Sequence, residues 1–180
     1  MPIALGLLLF VLTVVAMEGV AYGVHRWVMH SALGWTLHAS HHRARHGWFE
    51  ANDLYASVFA APSIALFYAA GQGLLGGWAN WVGAGVAAYG AIYFGFHDVI
   101  VHRRIAHHIV PRSAWLRRIV QAHRLHHVVE ARRGAVSFGF LWAPPVDRLK
   151  AALAARGRDG LRAPRPNCAA GSTNPPATSA

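Results

Sequence analysis

The stretch His-Arg-Leu-His-His at residues 123–127 decides the fold, and His-Ala-Ser-His-His at residues 38–42 repeats its pattern. Successive residues of a helix are turned about 100° apart, so positions i, i+3 and i+4 share one face. Each His-x-x-His-His motif is therefore predicted to direct three imidazoles toward one point. Imidazole binds iron, copper and zinc well, and three convergent rings make half a coordination shell or more. The pattern predicts a metal site carried on helices.

A looser pair with the spacing His-x-x-x-x-His precedes each of these motifs. The four blocks together hold ten histidines, which is too many for a single ion. We predict that all ten bind metal: His25, His30, His38, His41, His42, His97, His102, His123, His126 and His127. On an ideal α-helix an i,i+5 pair such as His25 and His30 lies about 140° apart. Such a pair can share one ion only if its helix loosens there; otherwise its members serve different ions.

The composition favours a membrane protein. Of the 180 residues, 54% are hydrophobic and 13% are charged, and the mean hydropathy is +0.28. The net charge of +10 would suggest a nucleic-acid partner on a soluble domain. Here the arginines flank apolar segments, which indicates a cytoplasmic membrane surface and no nucleic acid. The single cysteine, Cys168, excludes an intramolecular disulfide and a thiolate metal cage.

Three apolar segments are long enough to cross the ~30 Å hydrocarbon core as helices: residues 3–24, 54–75 and 78–96. A cleaved signal peptide is the alternative for the first, but that segment lacks a basic beginning and a clear cleavage site. The apolar run 136–145 is too short to span and is expected to pack against the site or lie in the interface. The predicted fold is an all-α membrane protein with three, or at most four, transmembrane helices and a helical cap at the cytoplasmic face that carries a di-metal site.

The arginines predict the topology of this fold. They are dense after the first and third apolar segments, whereas the turn at Gly76 and Gly77 has none. The positive-inside rule then places the N-terminus outside and both histidine-rich segments in the cytoplasm. All four histidine blocks fall on one side, as a shared site requires. We expect residues 1–155 to form one integral-membrane domain and the Arg-, Pro- and Ala-rich tail, residues 156–180, to be disordered.

The metal can be narrowed by elimination. Carboxylate-bridged di-iron bundles need paired Glu-x-x-His motifs, zinc proteases need His-Glu-x-x-His, and structural zinc sites usually include cysteine. Bis-histidine haem would place its ligands deep in the spans, whereas these histidines cluster at the ends. Two adjacent non-haem irons with almost wholly histidine ligation remain.

Several other polar residues are assigned by their position. Metal-bound imidazoles usually donate their second N–H to a carboxylate or carbonyl oxygen, and four carboxylates lie near the blocks; a capping or surface role is the alternative for each. They are Asp98, Glu50, Asp53 and Glu130. Glu18, inside the first span and seven residues before His25, is either functional or simply protonated or snorkelling between helices. Three histidines outside the four blocks are predicted not to bind metal: His46, His107 and His108.

The order and spacing of the four blocks resemble the histidine signature of the fatty acid hydroxylase superfamily. Their flanks resemble its bacterial β-carotene hydroxylase branch: Phe-Glu-Ala-Asn-Asp-Leu-Tyr-Ala at 49–56, His-Asp-Val-Ile-Val-His-Arg-Arg at 97–104 and Ser-Phe-Gly-Phe-Leu-Trp-Ala-Pro-Pro at 137–145. The resemblance covers roughly residues 18–149 and leaves the tail outside.

This resemblance implies a non-haem di-iron monooxygenase, a β-carotene 3-hydroxylase, which hydroxylates C3 of β-ionone rings. β-Carotene taken from the lipid membrane would become β-cryptoxanthin and then zeaxanthin, and ketolated canthaxanthin would lead to astaxanthin. The resemblance also implies O2 as co-substrate and two electrons from ferredoxin or a comparable NAD(P)H-driven carrier. The metal ligands are the only catalytic residues that it assigns.

Two alternatives stay open at this point. The nearer is a related membrane hydroxylase or desaturase that acts on a fatty acyl chain or a sterol. The more distant is a non-enzymatic membrane metal-binding protein, whose histidines would line a path through the bilayer. The placement of the histidines at one face argues against the second.

Overall fold

The computed structural model of the protein describes residues 1–43, 47–157 and 160–162. The predictions for His46 and Cys168, and for most of the tail, concern residues outside these ranges. The described residues form helices and connecting loops, with an isolated antiparallel bridge between Val129 and Leu161. The all-α prediction is confirmed.

Six α-helices follow one another along the described chain: α1 (Ile3–Gly23), α2 (Trp35–His42), α3 (Leu54–Gly71), α4 (Trp78–Tyr93), α5 (Ala114–His126) and α6 (Val146–Ala155). A 3-10 turn (Ala51–Asp53) leads into α3. A first π-helix (Val24–Met29) continues α1, and a second π-helix (Phe94–Val101) continues α4.

Three of the resulting helical units are long and apolar enough to cross a membrane. They are Ile3–Met29, Ala51–Gly71 and Trp78–Val101. Large apolar side chains such as Ile3, Val15 and Ile64 stand exposed on their surfaces, as is normal for side chains that face lipid. The three-span prediction is confirmed for the described residues, where no fourth helix of this kind occurs. The first and third spans run further than predicted, because each continues through its histidine pair as a π-helix.

Close packing holds the three spans together around α4. A Cβ atom on Gly85 would lie 2.7 Å from Cβ of Thr13 in α1, so the two backbones approach where a side chain is missing. On the side facing α3, the Ser63 hydroxyl donates to the Gly83 carbonyl oxygen at 2.8 Å. Small residues and buried hydroxyl hydrogen bonds are the usual means by which helices associate inside lipid.

The two π-helices bring the histidines of each His-x-x-x-x-His pair closer to one face than an α-helix would. The backbone N–H of His30 donates to the carbonyl of His25 at 3.3 Å, and that of His102 to the carbonyl of His97 at 2.9 Å. These are i→i+5 hydrogen bonds, which widen the turn and are often found at functional sites. A wider turn brings residues five apart toward the same face. Both spans therefore loosen where their histidine pairs require it.

The cap is formed by α2, α5, α6 and the loop that contains residues 136–145. Helix α5 begins at Ser113, whose Oγ accepts the N–H of Leu116 at 3.1 Å. Its buried face carries Ile119 and Val120 with two of the histidines, and arginines such as Arg124 stay exposed. Helix α6 packs on it through Leu149, near Ala122 and Ala143. The cap thus lies over the ends of the first and third spans, next to both histidine pairs.

Candidate metal centre

The ten histidines of the four blocks gather in two adjacent clusters. In the first cluster, one ring nitrogen from each residue lies within 4.8 Å of all the others: His41, His97, His102, His123 and His127. The same holds for four residues that we call the second cluster: His25, His30, His38 and His126. His42 borders the second cluster, since its Nε2 lies 3.2 Å from Nε2 of His38 and 3.2 Å from Nε2 of His126. We count His42 with the second cluster below.

Each His-x-x-His-His motif divides between the two clusters, which differs from the expectation that it serves one point. In the first motif, His38 and His42 belong to the second cluster and His41 belongs to the first. In the other motif, His123 and His127 belong to the first cluster and His126 belongs to the second. The cause is helix geometry: i+4 lies about 40° from i on one side, whereas i+3 lies about 60° away on the other. The i,i+4 pair therefore stays together and the middle histidine separates.

The hydrogen bonds of the second cluster fix the tautomers of four of its rings. In each, Nδ1–H donates to a backbone carbonyl, which can only accept, so the neutral ring carries a lone pair on Nε2. The four bonds are His25 to Phe138 (3.0 Å), His30 to Arg132 (2.8 Å), His42 to Val129 (2.7 Å) and His126 to Val136 (3.1 Å). The fifth ring, that of His38, has its Nδ1 2.7 Å from Oδ1 of Asn52.

These Nε2 lone pairs point at one another. Nε2 of His126 lies 3.3 Å from Nε2 of His30 and 3.2 Å from Nε2 of His42. Nε2 of His25 is buried without a hydrogen-bond partner. Facing lone pairs repel unless a cation lies among them, and ligands held about 2.1 Å from an ion stand about 3.0–3.4 Å apart. The residues of the second cluster therefore fit a metal ion.

The first cluster has the same spacing. Nε2 of His41 lies 2.9 Å from Nε2 of His97. Nε2 of His123 lies 3.1 Å from Nε2 of His102 and 2.9 Å from Nε2 of His127. Its rings also reach carboxylates. Nδ1 of His41 lies 2.9 Å from Glu50, and Nδ1 of His97 lies 3.3 Å from Asp98. The structure thus places two of the four candidate carboxylates beside histidines of the first cluster.

The other two carboxylates have different partners. Asp53 accepts the backbone N–H of Glu50 at 3.0 Å, which caps the turn before α3, and it also binds Arg104. Glu130 pairs with Arg162 at 2.7 Å on the surface. For both, the capping or surface role offered as the alternative is the one that the structure shows.

Arg104 is a residue that the sequence did not single out. Its guanidinium lies 2.8 Å from Asp98, 2.5 Å from Asp53 and 3.6 Å from Glu50. The hydrogen bonds to Asp53 raise the pKa of Arg104 further above its usual value, so it stays charged. Its position two residues after His102 was the available signal, but the surrounding arginines made it look like an ordinary membrane-surface charge. Asn52 was missed because it is an uncharged side chain between the carboxylates Glu50 and Asp53, to which the sequence assigned the role of hydrogen-bond acceptor.

Burial keeps these rings in the form that binds metal. Desolvation lowers the pKa of His41, His123, His126 and His127 well below the usual value. It lowers the pKa of His38 to about 3 and that of His42 to about 4. A buried imidazolium is costly, and metal binding requires the neutral ring. In the metal-free chain these rings are therefore neutral near pH 7.

An apolar cavity of about 520 Å³ lies between the three spans and ends beside the first cluster. Its walls include Met17, Phe59, Val86 and Phe140, and its inner end is formed by a few polar residues that include His97, Asp98 and Asn52. Of the ten clustered histidines, all of which are described, His97 is the one that lines it. A mostly apolar cavity with a few polar groups at its end is typical of a small-molecule site.

Glu18 anchors the loop of residues 136–145, whose Phe140 forms part of the cavity wall. Its Oε1 accepts the backbone N–H groups of Phe140, Leu141 and Trp142 at 2.9, 3.0 and 3.2 Å. Its Oε2 accepts the hydroxyl hydrogen of Tyr89 in α4 at 2.8 Å. The structure therefore gives Glu18 an anchoring role, in place of a charge that snorkels between helices. The run 136–145 packs against the site, as expected.

The described histidines outside the blocks lie outside both clusters. Both ring nitrogens of His107 are engaged, since Nε2 donates to the Val99 carbonyl at 2.8 Å and Nδ1 accepts the Ile109 N–H at 3.1 Å. His108 is exposed. His46 is outside the described residues.

Comparisons with known proteins agree with the site. A family model described as "Fatty acid hydroxylase" matches residues 10–151. The chain is 47% identical over 173 residues to a β-carotene hydroxylase of Pantoea ananas, covering 96% of this chain and 95% of that protein. It is 49% identical over 146 residues to a β-carotene hydroxylase of Paracoccus sp. (strain N81106 / MBIC 01143), covering 79% and 87%. A chloroplastic β-carotene 3-hydroxylase of Arabidopsis thaliana is 36% identical over 132 residues, which cover 72% of this chain and 43% of that protein. No solved structure matches the chain at a significant level.

Proposed function

We propose, from the premise that this chain belongs to the fatty acid hydroxylase family, that it adds hydroxyl groups to C3 of the β-ionone rings of carotenoids. β-Carotene is converted to β-cryptoxanthin and then to zeaxanthin, and the same reaction on ketolated rings leads to astaxanthin. The observation that carries the proposal is the apolar cavity between the spans, whose inner end is formed in part by His97 of the first cluster. The β-carotene hydroxylase names of its relatives support the substrate class.

The donor set fits non-haem iron. Ten imidazoles, nine of them buried, offer nitrogen ligands for two ions at one end of the spans. The first cluster would hold one ion and the second cluster the other. When bound, the two irons supply the activation of O2, with two electrons from ferredoxin or a comparable NAD(P)H-driven carrier. The ten ligand assignments remain a proposal that rests on the geometry of the rings.

The protein itself positions the substrate and excludes water. Phe140 stacks on His25 with the ring centroids 5.4 Å apart and meets Tyr93 edge-on at 4.5 Å, so aromatic rings lie between the cavity and the second cluster. Ile64 and Phe67 line the cavity yet are 66% and 41% exposed, which indicates that it opens toward lipid on the side of α3. A β-ionone ring can enter from the bilayer while the polyene chain stays in lipid. Water exclusion favours hydroxylation over side reactions.

The membrane placement follows the distribution of arginine. We propose a bacterial inner membrane with the metal centre at its cytoplasmic face and the N-terminus outside. A carotenoid dissolved in that bilayer presents its terminal ring at the depth where the spans end. The domain proposed for residues 1–155 carries both clusters and the cavity. The beginning of the segment expected to be disordered packs on this domain, since Leu161 pairs with Val129 and Arg162 donates to the His42 carbonyl.

Pigment analysis in a host that makes β-carotene tests the function. We expect β-cryptoxanthin and zeaxanthin with the native chain, and neither with His126→Ala. Gly90 lines the cavity and has open space at its Cβ position, so Gly90→Leu should fill the cavity and lower the yield severalfold. Gly19→Leu is the matched control, because Gly19 also has open space but lies outside the lining.

The outcome also separates the alternatives. Hydroxylated or desaturated acyl chains or sterols, with carotenoids unchanged, would replace the carotenoid substrate by the nearer alternative. Metal binding without any oxygen-dependent product would leave the non-enzymatic alternative. Metal analysis completes the test, since we expect two irons per chain after anaerobic preparation with ferrous iron. One ion per chain, or a preference for haem, would overturn the di-iron centre.

A further inference from the structure

We infer that the two clusters bind iron with unequal affinity, and that the first cluster, beside the cavity, is the tighter one. The inference rests on the di-iron centre of the proposed function and concerns the residues behind the ligands. What distinguishes the clusters is that two rings of the first have a carboxylate at Nδ1, whereas the five rings of the second have neutral acceptors there.

In the first cluster two of the five rings have charged acceptors. Glu50 lies 2.9 Å from Nδ1 of His41, and Asp98 lies 3.3 Å from Nδ1 of His97. Both carboxylates are largely buried, with 10% and 11% of their side chains exposed. A carboxylate that accepts the Nδ1–H makes the imidazole a stronger base and fixes its orientation, and removing such a partner typically costs about 10–100-fold in metal affinity.

Arg104 holds these acceptors in place. It lies between Glu50, Asp53 and Asp98, at 3.6, 2.5 and 2.8 Å, with 11% of its own side chain exposed. Three carboxylates and one guanidinium leave a net charge of −2 behind the first cluster. A positive charge at this place keeps like-charged carboxylates from separating, and the remaining negative charge favours a divalent cation. Arg104 is thus a positioning residue that acts on iron through Glu50 and Asp98.

In the second cluster the acceptors are neutral. The rings of His25, His30, His42 and His126 donate to backbone carbonyls, and His38 contacts the side-chain amide of Asn52. Beside His42, Arg162 donates to the backbone carbonyl at 2.7 Å and is itself paired with Glu130 at 2.7 Å, so no net negative charge stands there. A neutral amide or carbonyl polarises an imidazole less than a carboxylate does, so the second cluster is the weaker site.

Stepwise binding of ferrous iron tests the inference. Metal-free full-length protein in nanodiscs is titrated anaerobically with ⁵⁷Fe²⁺, and bound iron is followed by metal analysis and Mössbauer spectroscopy. We expect two steps of one iron each, the first at least about tenfold tighter. His102→Ala should remove the tight step, and His25→Ala should remove the weak one.

Matched amide variants identify the cause of the difference. Glu50→Gln and Asp98→Asn should each weaken the tight step by about 10–100-fold and leave the weak step unchanged. Asp147→Asn is the control, since Asp147 is a 99% exposed carboxylate on α6 that pairs with Lys150, and it should change neither step. Asn52→Asp, which puts a carboxylate behind His38, should tighten the weak step and narrow the gap.

Two results would overturn the inference: equal affinity of both sites in the native chain, or a Glu50→Gln variant that alters only the weak step. Either result is distinguishable from a failure of the proposed function, because hydroxylation is read from pigments and this test is read from bound metal. A chain that makes zeaxanthin but fills both clusters together would refute the inequality alone.

Discussion

Glu18 and Phe140 are 122 residues apart in the chain, yet Oε1 of Glu18 accepts the backbone N–H of Phe140 at 2.9 Å. The Glu18 carboxyl group accepts four hydrogen bonds, three from backbone N–H groups of the loop and one from the Tyr89 hydroxyl. A carboxyl group inside a span is costly unless it is satisfied in this way. The consequence is that Phe140 is fixed between the cavity and the clusters by a membrane helix.

We expect Glu18→Ala to lower carotenoid hydroxylation by about tenfold or more while the iron content stays near that of the native chain. The loop loses its anchor, and small displacements next to a reacting group are costly. Glu18→Gln keeps one acceptor oxygen, so its hydroxylation yield should lie between those of the native chain and Glu18→Ala. The yield is measured at matched protein and iron levels, with Val20→Ala, at an exposed position of the same helix, as control. An unchanged yield in Glu18→Ala would remove the anchoring role.

Alanine substitutions should separate ligands from bystanders. His41→Ala, His42→Ala, His126→Ala and His127→Ala should abolish hydroxylation, because each opens a coordination shell. His107→Ala should keep substantial activity, since its ring only bridges the backbone groups of Val99 and Ile109. The same is expected for His46 and His108. If His107→Ala were as inactive as His126→Ala while His102→Ala stayed active, the block at residues 97–102 would be misassigned.

The metal-free protein should lose stability as the pH falls below about 6.5. The folded pKa values of His38 and His42 are about 3 and about 4, against 6.5 for an unperturbed histidine. Between these values the unfolded chain binds more protons than the folded chain. The free energy of unfolding therefore decreases as the pH is lowered, by about 1.4 kcal/mol per pH unit for each such histidine. Thermal unfolding in detergent across this range measures it. A midpoint that is independent of pH, or rises on acidification, would contradict the burial of these rings.

Reporter fusions test the topology. A fusion after Gly77, in the turn between α3 and α4, should report the outside, and one after Arg133, behind α5, should report the cytoplasm. The positive-inside rule is the physical reason, because arginine crowds the second location and is missing from the first. Fusions that report the same side would contradict the three-span model, in which one span, Trp78–Val101, separates the two fusion points.

The spans were predictable because about 20 consecutive apolar residues have few alternatives to a transmembrane helix. Their ends were not. The sequence left two possibilities for His25 and His30, and the structure takes the first, a loosened helix. A π-helix changes backbone hydrogen bonds without changing which residues are apolar, so hydrophobic pattern alone carries no sign of it.

The gathering of the ten histidines was predictable from the sequence, and their arrangement was less so. Spacing identified the ten histidines, but the 38–42 motif looked like one binding face until its middle member, His41, turned to the other cluster. Arg104 lay hidden among arginines whose presence membrane topology already explained. Its partner Asp53 is 51 residues earlier in the chain, and pairing at that distance is set by the packing of the spans.

The cavity that ends at His97 and opens toward lipid near Ile64 has a consequence for the order of products. A carotenoid has a ring at each end of a rigid polyene, and under the proposed function we expect this cavity to receive one end at a time. We therefore expect hydroxylation to be distributive: a molecule that has reacted at one end would withdraw into the bilayer and return with the other end foremost. While substrate is in excess, fresh β-carotene competes for each return, and the singly hydroxylated carotenoid accumulates before the doubly hydroxylated one.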